Sequence, residues 1–255
     1  MADARRQPGG SCLHLSPRRD REEAWSVRWA ATAARIERIG RDALAAGHRV
    51  SAREALLRAS NYYRTADFYR RENPAADAES ARLAEASQQT FADAAALLDT
   101  PARALRIPYE DTTLPAYLFL VDESGTPRPT LLYHGGYDST LEENYLALAA
   151  GALRRGYNVL AFDGPGQGST VREQGLHFRP DWEAVVTPAV DFALTLPEVD
   201  PERLTLVGTS LGGYLAARAA AFEHRIAACV LNCHEGALAL FHQRTFDWLD
   251  TVLAD

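Results

Sequence analysis

The run Leu204-Thr205-Leu206-Val207-Gly208-Thr209-Ser210-Leu211-Gly212-Gly213 decides how this chain of 255 residues is read. Leu204 to Val207 has the form of a short buried strand, and a helical pattern runs from about Leu211 to Phe222, so the segment reads as strand, tight turn, helix. Gly208 and Gly212 are needed where such a turn brings backbone segments too close for side chains, and Gly213 lets the helix pack closely on a sheet. In a chain of this glycine and serine content, Gly-x-Ser-x-Gly would arise by chance about 0.05 times. A serine at this turn stands exposed at the strand end. The N–H of Leu211, at a helix N-terminus, points where a developing oxyanion would sit. Ser210 is therefore the candidate nucleophile, the other reading being a serine N-cap in a glycine-rich turn.

Outward from this segment the element types alternate. Pro129 to Tyr133, Tyr157 to Phe162, Arg203 to Val207 and Ile226 to Leu231 are short apolar runs of the buried, parallel kind. Helical stretches separate them at about Thr140 to Arg155, Asp181 to Leu196 and Leu211 to Phe222. The first of these is expected to open at the capping box Ser139-x-x-Glu142 and to stop at Gly156. Ala104 to Tyr109 and Leu114 to Val121 predict two further strands, paired antiparallel, and Pro108 and Pro115 make both edge-like. The expected fold is α/β, a doubly wound, mostly parallel sheet with its chemistry at the carboxyl ends of the strands.

The chain divides near Thr100-Pro101. Residues 1–20 hold Gly9-Gly10 and scattered arginines without apolar periodicity and read as a flexible leader. Residues 21–100 read as an all-helical cap or lid. One helix spans about Glu23 to Ala46 and stops at Gly47, a second opens at Ser51-x-x-Glu54 and ends at Asn73-Pro74, and a third spans about Ala76 to Leu98. Residues 101–255 form the α/β core.

Composition narrows the function classes. The chain is 47% apolar, enough for a sizeable core, has no uncharged apolar run of about 18 residues, and carries arginines and acids in its first thirty residues where a secretory leader would need an apolar stretch. A net charge of −7 argues against nucleic-acid or membrane partners, although all 27 basic residues are arginine. Three cysteines make a disulfide framework improbable and point to a reducing, cytoplasmic setting. Cys229, Cys233 and His234 lack a fourth ligand at usable spacing, so no metal is expected, and no cofactor.

His134-Gly135-Gly136-Tyr137-Asp138-Ser139 follows the strand ending at Tyr133. A glycine pair there lets the amide of Gly136 or Tyr137 turn inward as a second oxyanion donor, and the loop gains this meaning only beside the elbow at Ser210. His134 reads as a structural histidine or pocket residue rather than a general base. Phe162-Asp163-Gly164-Pro165-Gly166-Gln167-Gly168 is a glycine-rich turn flanking the site. It is not a phosphate loop, since no Lys follows. Tyr62, Tyr63 and Tyr69, with Phe68, form an aromatic stripe at helical spacing, read either as cap core or as the lid wall of a substrate pocket.

These residues resemble the α/β-hydrolase superfamily, in the branch with an N-terminal helical cap. That branch includes the pseudooxynicotine hydrolases, the fungal yellowish-green pigment polyketide hydrolases and the fermentation-respiration switch-type esterases. The likeness covers about residues 24–232. It rests on Gly47 to Arg64 in the cap, Gly135 to Thr140 in the oxyanion loop, Tyr157 to Gly168, and Arg179-Pro180-Asp181-Trp182-Glu183. It implies a serine hydrolase of an ester, amide or activated carbon–carbon bond in a medium-sized, partly aromatic small molecule.

The family order is nucleophile, acid after a later strand, then histidine after the last strand. Only 45 residues follow Ser210, with one further strand and one helix from about Gly236 to Leu253. The chain is thus expected to lack the last two strands and the triad acid and histidine. His234 and Glu235, just past Leu231, are the candidates for an improvised base and acid. His224, His242, Asp247 and Asp250 complete the late titratable set. The strand at Ile226 to Leu231 would then be an exposed edge, so poor solubility or strand-mediated self-association is expected, with a homodimer through this edge or through the cap helices as one form. A catalytically silent fold used for binding or assembly is the alternative function.

Overall fold

The computed structural model describes residues 17–70, 76–232 and 238–253, with side chains from residue 21 and, in the last segment, from residue 245. Helices α1 (Pro17–Ala45), α2 (Arg49–Asp67) and α3 (Ala78–Ala95) come first, followed by β1 (Ala102–Tyr109), β2 (Thr112–Phe119) and β3 (Arg128–His134). A π-helical turn, Tyr145–Ala149, continues into α4 (Ala150–Leu153). Then come β4 (Asn158–Phe162), α5 (Gly168–Glu173), α6 (Glu183–Ala193), β5 (Val199–Thr209), α7 (Leu211–Ala220), β6 (Ala228–Asn232) and α8 (Leu238–Val252).

The six strands form one sheet in the order β1-β2-β4-β3-β5-β6. β1 and β2 pair antiparallel, β2 meets β4 antiparallel, and β4, β3, β5 and β6 run parallel. The doubly wound, mostly parallel α/β sheet is therefore present.

Strand alternation assigns side chains to the two faces. Leu131, Tyr133, Val159, Ala161 and Val207 point to one face, where they pack with Leu56 and Phe91 of the N-terminal helices, Leu148 of the π turn, and Phe246 and Leu249 of α8. Leu132, Leu160, Phe162, Leu204 and Leu206 point to the other, against Val185, Val186 and Val190 of α6 and Leu215 of α7. Each fully buried Leu or Val contributes about 2 kcal/mol of transfer free energy. Helices α2 and α3 thus share one core with the sheet. A separate small core (Ala33, Tyr63, Ala66, Leu83) holds α1 to α3 together.

Local details correct several expectations. Helix α2 begins two residues before Ser51, with His48 at its N-cap and no side-chain cap bond, so Ser51-x-x-Glu54 lies inside the helix. Asp77 caps α3, its carboxylate accepting from the N–H groups of Glu79 and Ser80. Ser139 opens no helix, because its hydroxyl donates to the Gly136 carbonyl instead. The expected helix from Thr140 is helical only from Glu143, and passes through a π turn at Tyr145–Ala149. Helix α5 opens on Gly168, the last residue of the glycine-rich turn, and runs through residues for which no element is expected. β2 is interior rather than an edge. Pro115 is tolerated because pairing with β4 begins only at Ala116, and the Pro115 carbonyl accepts from the Asp163 N–H at 3.1 Å. Residues 17–20 of the expected leader already belong to α1, while residues 1–16, and Asn73-Pro74, lie outside the described residues.

Candidate active site

The elbow is built by close backbone contact. A β-carbon on Gly208 would lie 2.2 Å from the Gly212 carbonyl oxygen, and one on Gly212 would lie 2.3 Å from that of Gly135, so neither position admits a side chain. Pinned between them, Ser210 has φ 58° and ψ −127°, in the left-handed region that costs a non-glycine residue about 1–3 kcal/mol. Two hydrogen bonds hold it there: Ser210 N–H to the Asn232 carbonyl at 2.7 Å, and Gly213 N–H to the Ser210 carbonyl at 2.9 Å. Ser210 is exposed at the carboxyl end of β5, where α7 begins.

The loop after β3 reaches the same point. A β-carbon on Gly136 would lie 2.8 Å from Ser210 Cβ and 3.1 Å from Ser210 Oγ. The loop backbone therefore runs directly beside the serine hydroxyl. Among the described residues the N–H groups of Gly136, Tyr137 and Leu211 donate to no backbone acceptor.

His134 lies behind this loop, fully buried. Trp182 Nε1–H can only donate, so at 3.3 Å His134 Nε2 accepts. The neutral ring then carries its proton on Nδ1, 3.3 Å from the Gly135 carbonyl. Burial pulls its pKa down to about 4, keeping the ring neutral. His134 supports the loop from below and is not a pocket residue, which corrects the expectation made for it. Burial drives Asp163 well above the ordinary carboxylate range, with the Glu142 charge adding to the shift. Desolvation pushes Glu142 up to about 7, reinforced by Glu143. Burial raises the Cys229 thiol to about 11, which leaves it unreactive.

A cavity of about 210 Å³ opens beside the loop. Arg64 of α2 and Phe68 at its C-cap line it on one side, Tyr137 and Phe178 on another, with Arg172 and His177 also on the wall. Tyr137 and Phe178 stack at 5.8 Å and 15°. Ser210 is not part of this wall, so the cavity adjoins the serine through Tyr137 and its neighbours. Arg64 ties α2 to the loop, pairing with Glu143 at 2.9 Å and donating to the Asp138 carbonyl at 3.1 Å. Arg172 of α5 pairs with Asp67 of α2 and donates to Ser80 of α3 at 2.8 Å.

The tyrosines expected in the pocket are placed elsewhere. Tyr63 is buried among α1 to α3, with its hydroxyl donating to Glu37 at 2.7 Å. Tyr62 packs on Trp29, and Tyr69 meets Trp25 edge-on at the surface. Phe68, beside Tyr69, is the ring of that stripe on the cavity wall, a distinction of helical rotation that spacing alone does not settle. Asp250 accepts from the Tyr157 hydroxyl and serves packing of α8. His234 and Glu235 lie outside the described residues. Among the described residues no imidazole or carboxylate hydrogen-bonds to Ser210 Oγ. The sequence assigns no site role to Arg64, Arg172, Phe178 or Gln167, because contacts between separate elements bring them to this loop and cavity.

A parallel sheet, a glycine-flanked serine at a strand-to-helix elbow, a glycine loop against it and helices packed over one face define an α/β-hydrolase with a helical cap. The alpha/beta hydrolase family model matches residues 130–254. Hydrolyase poxO of Penicillium oxalicum is 44% identical over 219 residues, covering 83% of this chain and 52% of its own length. The 20-hydroxy-prefusarin hydrolase FUS2 of Gibberella moniliformis is 41% identical over 242 residues, covering 91% and 57%. The crystal structure of a 2,6-dihydroxy-pseudo-oxynicotine hydrolase superposes with TM-score 0.71 at 26% identity, covering 90% of this chain and 66% of that one. The chain spans about half the length of the curated relatives it matches. Among the described residues, no helix is long and apolar enough to cross a membrane.

Proposed function

We propose that Ser210 is the nucleophile of a hydrolase acting on an ester, amide or activated carbon–carbon bond of a medium-sized, partly aromatic carbonyl compound. One observation carries the reading: Gly136 packs directly on Ser210, so a carbonyl attacked by Oγ sits within reach of amides from both sides. In the first step the Ser210 proton passes to a base, Oγ bonds to the carbonyl carbon, and the oxygen becomes an oxyanion held by the N–H of Leu211 and that of Gly136 or Tyr137. Collapse breaks the bond to the leaving group, which takes the proton. Water then hydrolyses the acyl-serine and regenerates the enzyme. The cavity of Phe68, Tyr137 and Phe178 is assigned to the substrate's aromatic portion. Likeness to relatives named for 20-hydroxy-prefusarin and for 2,6-dihydroxy-pseudo-oxynicotine supports an organic substrate of this class.

The base is assigned to His234, with Glu235 beside it. Asn232, whose carbonyl holds the nucleophile's own N–H, is two residues before His234. Labelling by a fluorophosphonate, lost in Ser210→Ala, tests the nucleophile, and a folded protein that fails to label overturns it. A second reading, a fold that binds without turnover, is favoured by the absence of a base on Ser210 among the described residues. Ligand-dependent stabilisation with no labelling is its signature.

A further inference from the structure

We propose that Gln167 is the residue that positions the oxyanion donors, orienting the peptide groups of Gly135–Gly136 and Gly136–Tyr137 so that both N–H groups face the nucleophile. Gln167 is fully buried, on the loop between β4 and α5. Its Nε2 donates to the Gly135 carbonyl at 2.5 Å and to the Gly136 carbonyl at 3.2 Å. Its Oε1 accepts from the Gly164 N–H at 2.8 Å. Both amide hydrogens and one lone pair are thereby used. The reverse orientation would set Oε1 against two carbonyl oxygens, so the assignment of N and O is fixed by chemistry.

A trans peptide group points its C=O and its N–H in opposite directions, and none of the described peptide bonds is cis. Drawing the Gly135 and Gly136 carbonyls onto one buried amide therefore turns the N–H groups of Gly136 and Tyr137 the other way. No backbone acceptor takes them among the described residues, and Ser210 lies against Gly136. Ser139 reinforces the arrangement, its hydroxyl donating to the Gly136 carbonyl at 3.0 Å. Gln167 itself is anchored, since its N–H donates to the Gly164 carbonyl at 3.0 Å and its own carbonyl accepts from the Thr170 hydroxyl at 2.6 Å. A glycine loop has no side chains to hold its peptide planes, and preorganised donors require that they be held. A glutamine meets the need because it donates twice while remaining uncharged in a buried site.

This inference rests on the reading of Ser210 as nucleophile. Its test compares the rate of fluorophosphonate labelling in wild type, Gln167→Met and Gln167→Glu, alongside amide hydrogen exchange over residues 134–140 and at Gly164. Methionine keeps the volume and removes all three bonds. Labelling is expected to slow on the order of a hundredfold, the scale for a lost oxyanion donor, with exchange accelerated in the loop and the melting transition retained. Glutamate donates only when protonated, so labelling of Gln167→Glu relative to Gln167→Met is expected to rise on acidification, which a merely structural role would not produce. Equal labelling rates in wild type and a folded Gln167→Met overturn the proposal. If wild type does not label at all, the nucleophile reading fails instead, and unchanged exchange in Gln167→Met then overturns the tethering role as well.

Discussion

The N–H of Ser210 donates to the carbonyl of Asn232 at 2.7 Å, so the strained residue of the elbow is held by the last residue of β6. The nucleophile's geometry thus depends on pairing between β5 and β6, which runs in register from Thr205 with Ala228 to Thr209 with Asn232. His234 follows Asn232 by two residues in the sequence, which is the ground for its role in the proposed mechanism. His234→Ala is expected to abolish labelling of Ser210 while leaving the thermal transition unchanged. Labelling at the wild-type rate would remove His234 from the mechanism.

Gly136→Ala is expected to reduce Ser210 labelling by at least about a hundredfold, because the new methyl group would meet Ser210 Cβ at 2.8 Å and the Thr209 carbonyl at 2.9 Å. The loop must retreat, taking its amides with it. Circular dichroism should show an intact fold, and labelling kinetics report the loss.

Buried titratable groups give opposing pH dependences. Neutral His134, with a folded pKa of about 4 against an ordinary 6.5, leaves the native state with fewer protons than the unfolded chain between those values, so its contribution to stability falls as pH falls. The loss reaches about 2 kcal/mol by pH 5. Glu142, held up to about 7 from 4.5, works the other way, the native state keeping a proton that the unfolded chain has lost. Its contribution therefore falls as pH rises through that window, by at most about 1.4 kcal/mol per pH unit. Urea titrations at pH 5 and pH 8 separate the two. Glu142→Gln should gain stability relative to wild type at pH 8 and show little difference at pH 5.

Breaking the Arg172–Asp67 pair should be costly, since Asp67 is buried and would be left as an uncompensated charge. Arg172→Met is expected to destabilise by about 3 kcal/mol, and Asp67→Asn with Arg172→Met together by less than the two changes summed. Chemical denaturation of the four proteins completes the cycle. Additive losses would show that the two side chains do not interact.

β6 hydrogen-bonds to β5 alone among the described residues, and Leu231 on it is 47% exposed. An apolar edge of this kind offers unpaired backbone groups to another chain. Leu231→Lys is expected to shift the 255-residue chain toward monomer in size-exclusion chromatography. A wild-type chain that already runs as a stable monomer would refute edge-mediated association.

Much of this was legible in the residues themselves. The apolar runs and glycine turns place five of the six strands to within two residues at either end. β5 begins four residues before its apolar run because the buried Val199 is cut off from that run by Asp200, Pro201 and Glu202, which break the apolar pattern. The elbow was readable because glycine at two fixed positions is a steric necessity, and steric necessity leaves a mark in one short window. The capping boxes misled. Ser51 and Ser139 satisfy the spacing, but His48 starts α2 earlier and the Gly136 carbonyl competes for the Ser139 hydroxyl. Sequence spacing cannot rank competing acceptors that only the folded loop brings near.

By itself the sequence determined that there is a parallel sheet, a strained serine at its edge of chemistry and a glycine loop to face it, because periodicity and glycine placement act over a few residues. Only the tertiary structure decided which aromatic rings reach the cavity, that His134 is buried and neutral, and that Gln167 binds the carbonyls of Gly135 and Gly136 from more than thirty residues away. Those relations join side chains on different elements. They depend on helix rotation, burial and the direction of peptide planes, none of which has a period that a linear chain can display.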